Sequence, residues 1–188
     1  MTVAAENQSA SELELFDPSL DHFARLGLEP RWKIDRDALE RGYLERSRRY
    51  HPDRFVGADS ATRRAAVEHS AALNTAYRTL RDPVARAEYL VKLGGVDLDS
   101  SDPRTGAPQP EQALLIEMIE RRERLDELRQ SGSEDGREAV CDELEAEIDE
   151  VFERALAALE RGDIGAAASA LVHRRYLDRF LDELQQDG

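Results

Sequence analysis

Apolar residues recur along this chain at i, i+3, i+4 and i+7 and not at every second position, which predicts helices and no sheet. The clearest stripe is Leu73, Ala76, Tyr77 and Leu80, inside a helix expected over about 60–81. Upstream, Asp17-Pro18 pairs an N-cap residue with proline at the first helical position. A short helix should follow with Leu20, Phe23, Ala24 and Leu26 inward, ending at Gly27. After a loop from Leu28 to Ile34, in which Trp32 is expected to pack on the domain, Asp35 caps a longer helix running to about Tyr50. Its apolar set is Leu39, Tyr43 and Leu44. Asp82-Pro83 repeats the start signal, and the next helix, with Ala87, Leu90, Val91 and Leu93, stops at Gly94-Gly95.

Residues 96–110 are dense in Pro, Gly and Asp and read as a linker. Three helical segments follow, at about 111–130, 134–161 and 163–185, separated by Ser131-Gly132-Ser133 and Arg161-Gly162-Asp163. The second carries Val140, Leu144, Ile148, Val151, Ala155 and Leu159 inward, and the third Ala170, Leu177, Leu181 and Leu184. Short connections between long helices imply antiparallel neighbours. The fold class is therefore all-α: an N-terminal helical hairpin with accessory helices at 16–95, and a three-helix bundle at 111–188. Residues 1–15 are polar and acidic and are expected to form a disordered tail.

The sharpest break in the helical pattern is Tyr50-His51-Pro52-Asp53-Arg54-Phe55. Pro52 has no N–H and a fixed φ. It also pushes His51 out of the α region, so the incoming helix must stop there. Asp53 and Arg54 then set opposite charges on a corner that faces water. The helix leading in is basic: over 41–54 there are five arginines, Arg41, Arg46, Arg48, Arg49 and Arg54, against Glu45 and Asp53. At about 100° per residue, Arg41 and Arg48 share one face.

Charge separates the two halves. Residues 1–98 hold 15 Lys/Arg and 16 Asp/Glu, whereas 99–188 hold 11 and 24. Repulsion from phosphate makes the second half a poor binder of nucleic acid. Cys141 is the only cysteine, so an intramolecular disulfide and a Cys-based zinc site are both excluded. His22, His69 and His173 are isolated in sequence and read as structural, and no metal or cofactor is expected. No apolar run approaches membrane-spanning length. Met1 to Glu14 resembles neither a signal peptide nor an Arg-rich transit peptide, so a reducing cytoplasm is the expected compartment.

The helix at 111–130 has more apolar surface than one stripe needs. With Leu114 at 0°, Met118, Leu125 and Leu128 fall within about 40°, the core face. Leu115, Ile119 and Ile116 fall at about 100°, 140° and 200°, and Glu123, Glu127 and Glu120 at about 180°, 220° and 240°. Two readings stay open on geometry alone. Leu115 and Ile119 pack on the third helix of a broad interface, or they form an exposed apolar patch ringed by carboxylates, which marks a partner site. Tyr176, off its own helix's stripe, extends the patch in the second reading.

The corner Tyr50-His51-Pro52-Asp53-Arg54-Phe55 resembles the His-Pro-Asp loop of a J-domain. So do Leu73-Asn74-x-Ala76-Tyr77-x-x-Leu80-x-Asp82-Pro83 and Arg86-Ala87-Glu88-Tyr89-Leu90 downstream. Together with Ala113-Leu114-Leu115-Ile116-Glu117 and Arg122-Glu123-x-Leu125-Asp126-Glu127-Leu128, the pattern is similar to the HscB co-chaperones of iron–sulfur cluster assembly over about 16–185. The resemblance implies a J-domain that docks on a DnaK-type chaperone, HscA in that family, and stimulates its ATPase through Arg41, Arg46, Arg48, Arg49, His51, Pro52 and Asp53. It also implies a bundle that holds the scaffold IscU through Leu115, Ile116, Ile119, Glu120, Glu123, Glu127 and Tyr176. Ile116 and Tyr176 stand where that family has Met and Phe. No phosphate-cradling loop is present, so the chain is expected to activate a partner's hydrolysis and not to be an enzyme. The rival readings are a J-protein with another client and an enzyme using His51 and Asp53.

Overall fold

The structure is a computed structural model that describes Leu13 and residues 16–132 and 134–186. The tail expected at 1–15 therefore lies, Leu13 aside, outside the described residues. Seven α-helices and one 3-10 turn make up the described secondary structure, with no strand among the described residues. The helices are α1 (His22–Leu26), α2 (Arg36–Arg49), α3 (Ser60–Arg81), α4 (Pro83–Leu93), α5 (Gln112–Ser131), α6 (Glu134–Glu160) and α7 (Ile164–Gln186). The 3-10 turn, Pro52–Phe55, stands between α2 and α3. The chain divides into two compact units, one ending at Arg86 and the next beginning at Ala87.

The first unit is held by α1, α2 and α3. The side chain of Asp35 accepts from the Asp37 N–H and that of Asp59 from the Thr62 N–H, so α2 and α3 start where their orphan donors find an acceptor. α1 begins later than Asp17-Pro18 predicts. Its N-cap is Asp21, which accepts from the Ala24 N–H, while Asp17 caps a separate turn by accepting from Ser19. Consequently Leu20 precedes the helix and is exposed, whereas Phe23 and Leu26 are fully buried. Gly27 ends α1 in the left-handed conformation at φ 73°, where a side chain is strained. A Cβ on Gly42 would lie 2.3 Å from the Leu26 carbonyl oxygen, so only glycine lets α2 approach α1 this closely. The core is Phe23, Leu26, Leu39, Tyr50, Phe55, Leu73, Ala76 and Leu80. Trp32 packs as expected, beneath the Arg86 guanidinium at 4.4 Å from its ring centroid.

The second unit is the bundle of α5, α6 and α7 with the end of α4. Leu114, Met118 and Leu125 of α5 meet Val140, Leu144, Ile148 and Val151 of α6 and Leu177, Phe180 and Leu184 of α7. Cys141 is a free thiol partly buried against this core. Three carboxylate–arginine groups tie the helices. Arg121 on α5 donates to Glu117 and to Glu147 of α6, and Arg122 bonds Glu183 of α7 at 2.8 Å. Arg175 of α7 bonds Glu88 at 2.7 Å, Asp99 at 2.9 Å and the Leu98 carbonyl at 3.1 Å. Residues 96–107 form a folded loop closed by an Asp97–Gly106 bridge and a 2.7 Å ion pair from Lys92 to Asp97.

Candidate functional site

The tip between α2 and α3 is anchored on both sides and free in the middle. Tyr50, the C-cap of α2, and Phe55, the last residue of the 3-10 turn, are buried. Between them, Pro52 occupies the first position of the turn, and the Asp53 N–H donates to His51 Nδ1 at 3.3 Å. His51 is thus an N-cap: its ring fixes the start of the turn and its carbonyl accepts from the Arg54 N–H at 3.0 Å. The Asp53 carboxylate stands 3.7 Å from His51 Nδ1 with its side chain 86% exposed. A short loop clamped by two buried aromatics holds this carboxylate towards solvent. A proline that sets φ and an imidazole that accepts the turn's first N–H are what give the tip one shape.

The four arginines of α2 named above do not form one surface. Arg41 and Arg48 are exposed on the same face. Arg41 sits 3.7 Å from Asp35, and the Arg48 carbonyl accepts from Arg54 at 3.4 Å. Arg46 is half-buried, and its guanidinium lies against Gly27. Arg46 and Arg49 line, with Arg25, Tyr50 and His69, a cavity of about 440 Å³ on another side of the helix. Leu44, expected inward, is exposed; the inward positions are taken by Leu39 and Gly42. Tyr43 stacks on Tyr77 with centroids 4.2 Å apart and donates to Asn74 at 2.8 Å, and Tyr77 donates to Glu40. That bond raises the Tyr77 hydroxyl pKa, chiefly because the Glu40 carboxylate accepts its proton. Glu40, Tyr43, Asn74 and Tyr77 brace α2 against α3; the sequence pattern placed Tyr43 and Tyr77 in inward sets but carried no signal for the bond to Glu40.

On α5 the core face and the second apolar face separate cleanly. Leu114, Met118 and Leu125 are buried, while Leu115, Ile116 and Ile119 are 40%, 48% and 58% exposed. Glu120, Glu123 and Glu127 are exposed on the same helix. Packing of Leu115 and Ile119 into the bundle is therefore not what the fold does with them. Tyr176 on α7 is half-buried and packs against the bundle core.

No cluster of three or more His, Cys, Asp or Glu able to hold a metal, around His51 and Asp53 or elsewhere, occurs among the described residues. No described helix is long and apolar enough to cross a membrane. The Arg175 cluster escaped sequence reasoning, because its partners Glu88 and Asp99 lie some 80 residues away in sequence and carry no local signal.

Comparison with known proteins matches both units. A model of the DnaJ domain matches residues 21–89, and one described as the HSCB C-terminal oligomerisation domain matches residues 110–185. Human co-chaperone protein HscB superposes with a TM-score of 0.75 at 26% identity, over 93% of this chain and 85% of its own. Chaperone HscB from Vibrio cholerae superposes at 0.69 and 25% identity, over 89% of this chain and 96% of its own. The Jac1 co-chaperone from Saccharomyces cerevisiae superposes at 0.56 and 23% identity, over 84% and 85%, a likeness of fold. With a His-Pro-Asp tip in its first unit and an HSCB-type bundle in its second, this chain belongs to the HscB family of J-domain co-chaperones, which are not enzymes.

Proposed function

We propose that this chain docks on a DnaK-type ATPase chaperone of the HscA kind, stimulates its hydrolysis, and delivers to it an IscU-like scaffold of iron–sulfur cluster assembly. The observation that carries this reading is the exposed Asp53 carboxylate on a turn fixed by Pro52 and His51. A carboxylate presented in this way suits a partner arginine, a charge-assisted bond worth roughly 1.5–3 kcal/mol. Stimulation follows if the hydrolysing conformation of the chaperone presents that arginine better than the resting one, since differential binding shifts a two-state equilibrium. Arg41 and Arg48, with Arg46 and Arg49 behind them, supply the positive charge that steers an acidic partner surface.

We assign Leu115, Ile116 and Ile119, with Glu120, Glu123 and Glu127 on the same helix and Tyr176 on α7, to the scaffold. Exposed apolar side chains inside a polar rim have the make-up of an interface centre. The rim carboxylates favour a partner with basic residues over a second copy of this chain, which would bring its own carboxylates to the same contact. In this reading 16–95 is the docking domain, 96–110 the linker and 111–188 the scaffold domain. One molecule carrying both sites raises the effective concentration of the scaffold at the chaperone. The compartment assigned is the cytoplasm, where Cys141 remains a thiol. The rival client reading shares the tip but not the patch.

The test is single-turnover ATP hydrolysis by an HscA-type chaperone with the parent chain, His51→Gln and Asp53→Asn. Both variants should keep the parent's melting temperature and lose stimulation. Normal stimulation by both removes the co-chaperone mechanism.

A further inference from the structure

The exposed face of α2 carries an apolar side chain where a solvated basic strip needs none. Arg41, Leu44 and Arg48 follow at i, i+3 and i+7, so they lie along one side of the helix. Leu44 is 43% exposed. The core does not use it: α2 turns Leu39 and Gly42 inward, and Tyr43 is engaged by Tyr77 and Asn74. Its charged neighbours are open too. Arg48 has no carboxylate partner among the described residues, and the pair between Arg41 and Asp35 is exposed on both sides. On the tip itself Val56 is the C-cap of the 3-10 turn and is also exposed.

A single exposed leucine is ordinary on a protein surface. What distinguishes Leu44 is its place between two guanidinium groups on the one face of α2 that is free of the fold. Interface centres combine apolar anchors with arginine, and surrounding groups keep water from the anchor. Charge alone steers an encounter but is screened by salt. An apolar anchor between the charges holds the complex once formed.

We propose that Leu44 is the apolar anchor of the chaperone-docking face, and that the acidic chaperone surface meeting Arg41 and Arg48 holds an apolar recess for it. The proposal rests on the co-chaperone reading above. It is tested by titrating the full chain into an HscA-type chaperone with ATP, at low and at physiological salt, with the parent, Leu44→Ser, Leu44→Met, Arg48→Ala and Asp53→Asn. Leu44→Ser should raise the half-maximal concentration roughly five- to tenfold, leave maximal stimulation unchanged and leave the salt dependence as steep as the parent's. Arg48→Ala should flatten the salt dependence, and Leu44→Met should titrate as the parent does. If Leu44→Ser titrates as the parent does, or weakens only in proportion to a lowered melting temperature, the anchor is wrong. If Asp53→Asn stimulates normally, the co-chaperone reading itself fails. Loss of stimulation in Asp53→Asn alone leaves that reading intact and overturns only the role of Leu44.

Discussion

Tyr50 stacks on His69 with ring centroids 4.4 Å apart and planes within 9° of parallel. Phe16 meets the same imidazole edge-on at 5.3 Å, and the Arg25 guanidinium lies 4.8 Å from the Phe16 ring. The residue immediately before His51 is therefore fixed by a column of rings that begins ahead of α1 and crosses α3. Removing the middle ring should loosen the tip. His69→Ala is expected to destabilise the first unit by roughly 2–4 kcal/mol, the usual cost of emptying a buried aromatic site. His69→Phe, which keeps a ring for Tyr50, should restore most of that loss. Thermal unfolding checks the stability, and the ATPase assay at a temperature where all variants are folded checks whether stimulation follows the stack.

The basic helix divides by burial, so its arginines should divide by phenotype. Arg46 lies against Gly27 and is half-buried, whereas Arg48 is exposed. Arg46→Ala loses the packing of its stem and is expected to cost about 1 kcal/mol of stability. Arg48→Ala should stay within about 0.5 kcal/mol of the parent in stability. Its effect should appear in the salt dependence of chaperone activation. Equal salt slopes for the parent and Arg48→Ala, measured alongside unfolding curves, would remove Arg48 from the docking face.

Helix boundaries were legible because they rest on local chemistry. Asp35, Asp59 and Asp82 each accept from backbone N–H groups two or three residues on, and Gly27 sits at its positive φ. Asp17-Pro18 misled because the same local chemistry also makes an isolated turn; Asp21 competes with it and wins the helix. Periodicity set Leu115, Ile116 and Ile119 about 60° or more from the core stripe of α5, but whether the third helix covers them depends on tertiary packing, and only their exposure decides it. Leu44 was misassigned although the same rule, with Leu39 at 0°, puts Tyr43 at about 40°, Tyr50 at about 20° and Leu44 at about 140°, off the inward line. The Arg175 cluster and the Tyr77–Glu40 bond depend on tertiary contacts between residues far apart in sequence.

The exposed face of α5 predicts a variant that separates binding from folding. Leu115 and Ile119 contribute little to the bundle core, so Leu115→Ala with Ile119→Ala should change bundle stability by less than about 1 kcal/mol. Loss of two central apolar contacts should weaken scaffold binding by roughly 2 kcal/mol or more, about thirtyfold. Calorimetric titration of an IscU-like scaffold measures the affinity, and the ATPase assay without scaffold should read as for the parent. Unchanged affinity would leave this face without the assigned partner.

His173 makes the stability of the second unit depend on pH in the mildly acid range. Its Nε2 is buried, without a hydrogen bond, 3.6 Å from Glu147 Oε1. Burial pushes the imidazole pKa below the usual histidine range; Arg154 and Arg121 add to the shift, while Glu147 and Glu117 oppose it. A depressed value means that the folded chain resists a proton that the unfolded chain accepts near pH 6.5. Below about that pH the unfolded state binds more protons than the folded state, so stability falls as the medium is acidified towards the folded-state value. His173→Gln removes this contribution while the carboxylates continue to titrate. Its melting temperature should therefore decline less than the parent's between about pH 7 and 5.5, with the two curves running parallel above pH 7. Melting curves taken at half-unit intervals check the difference, and identical slopes in the two proteins would mean that His173 titrates alike folded and unfolded.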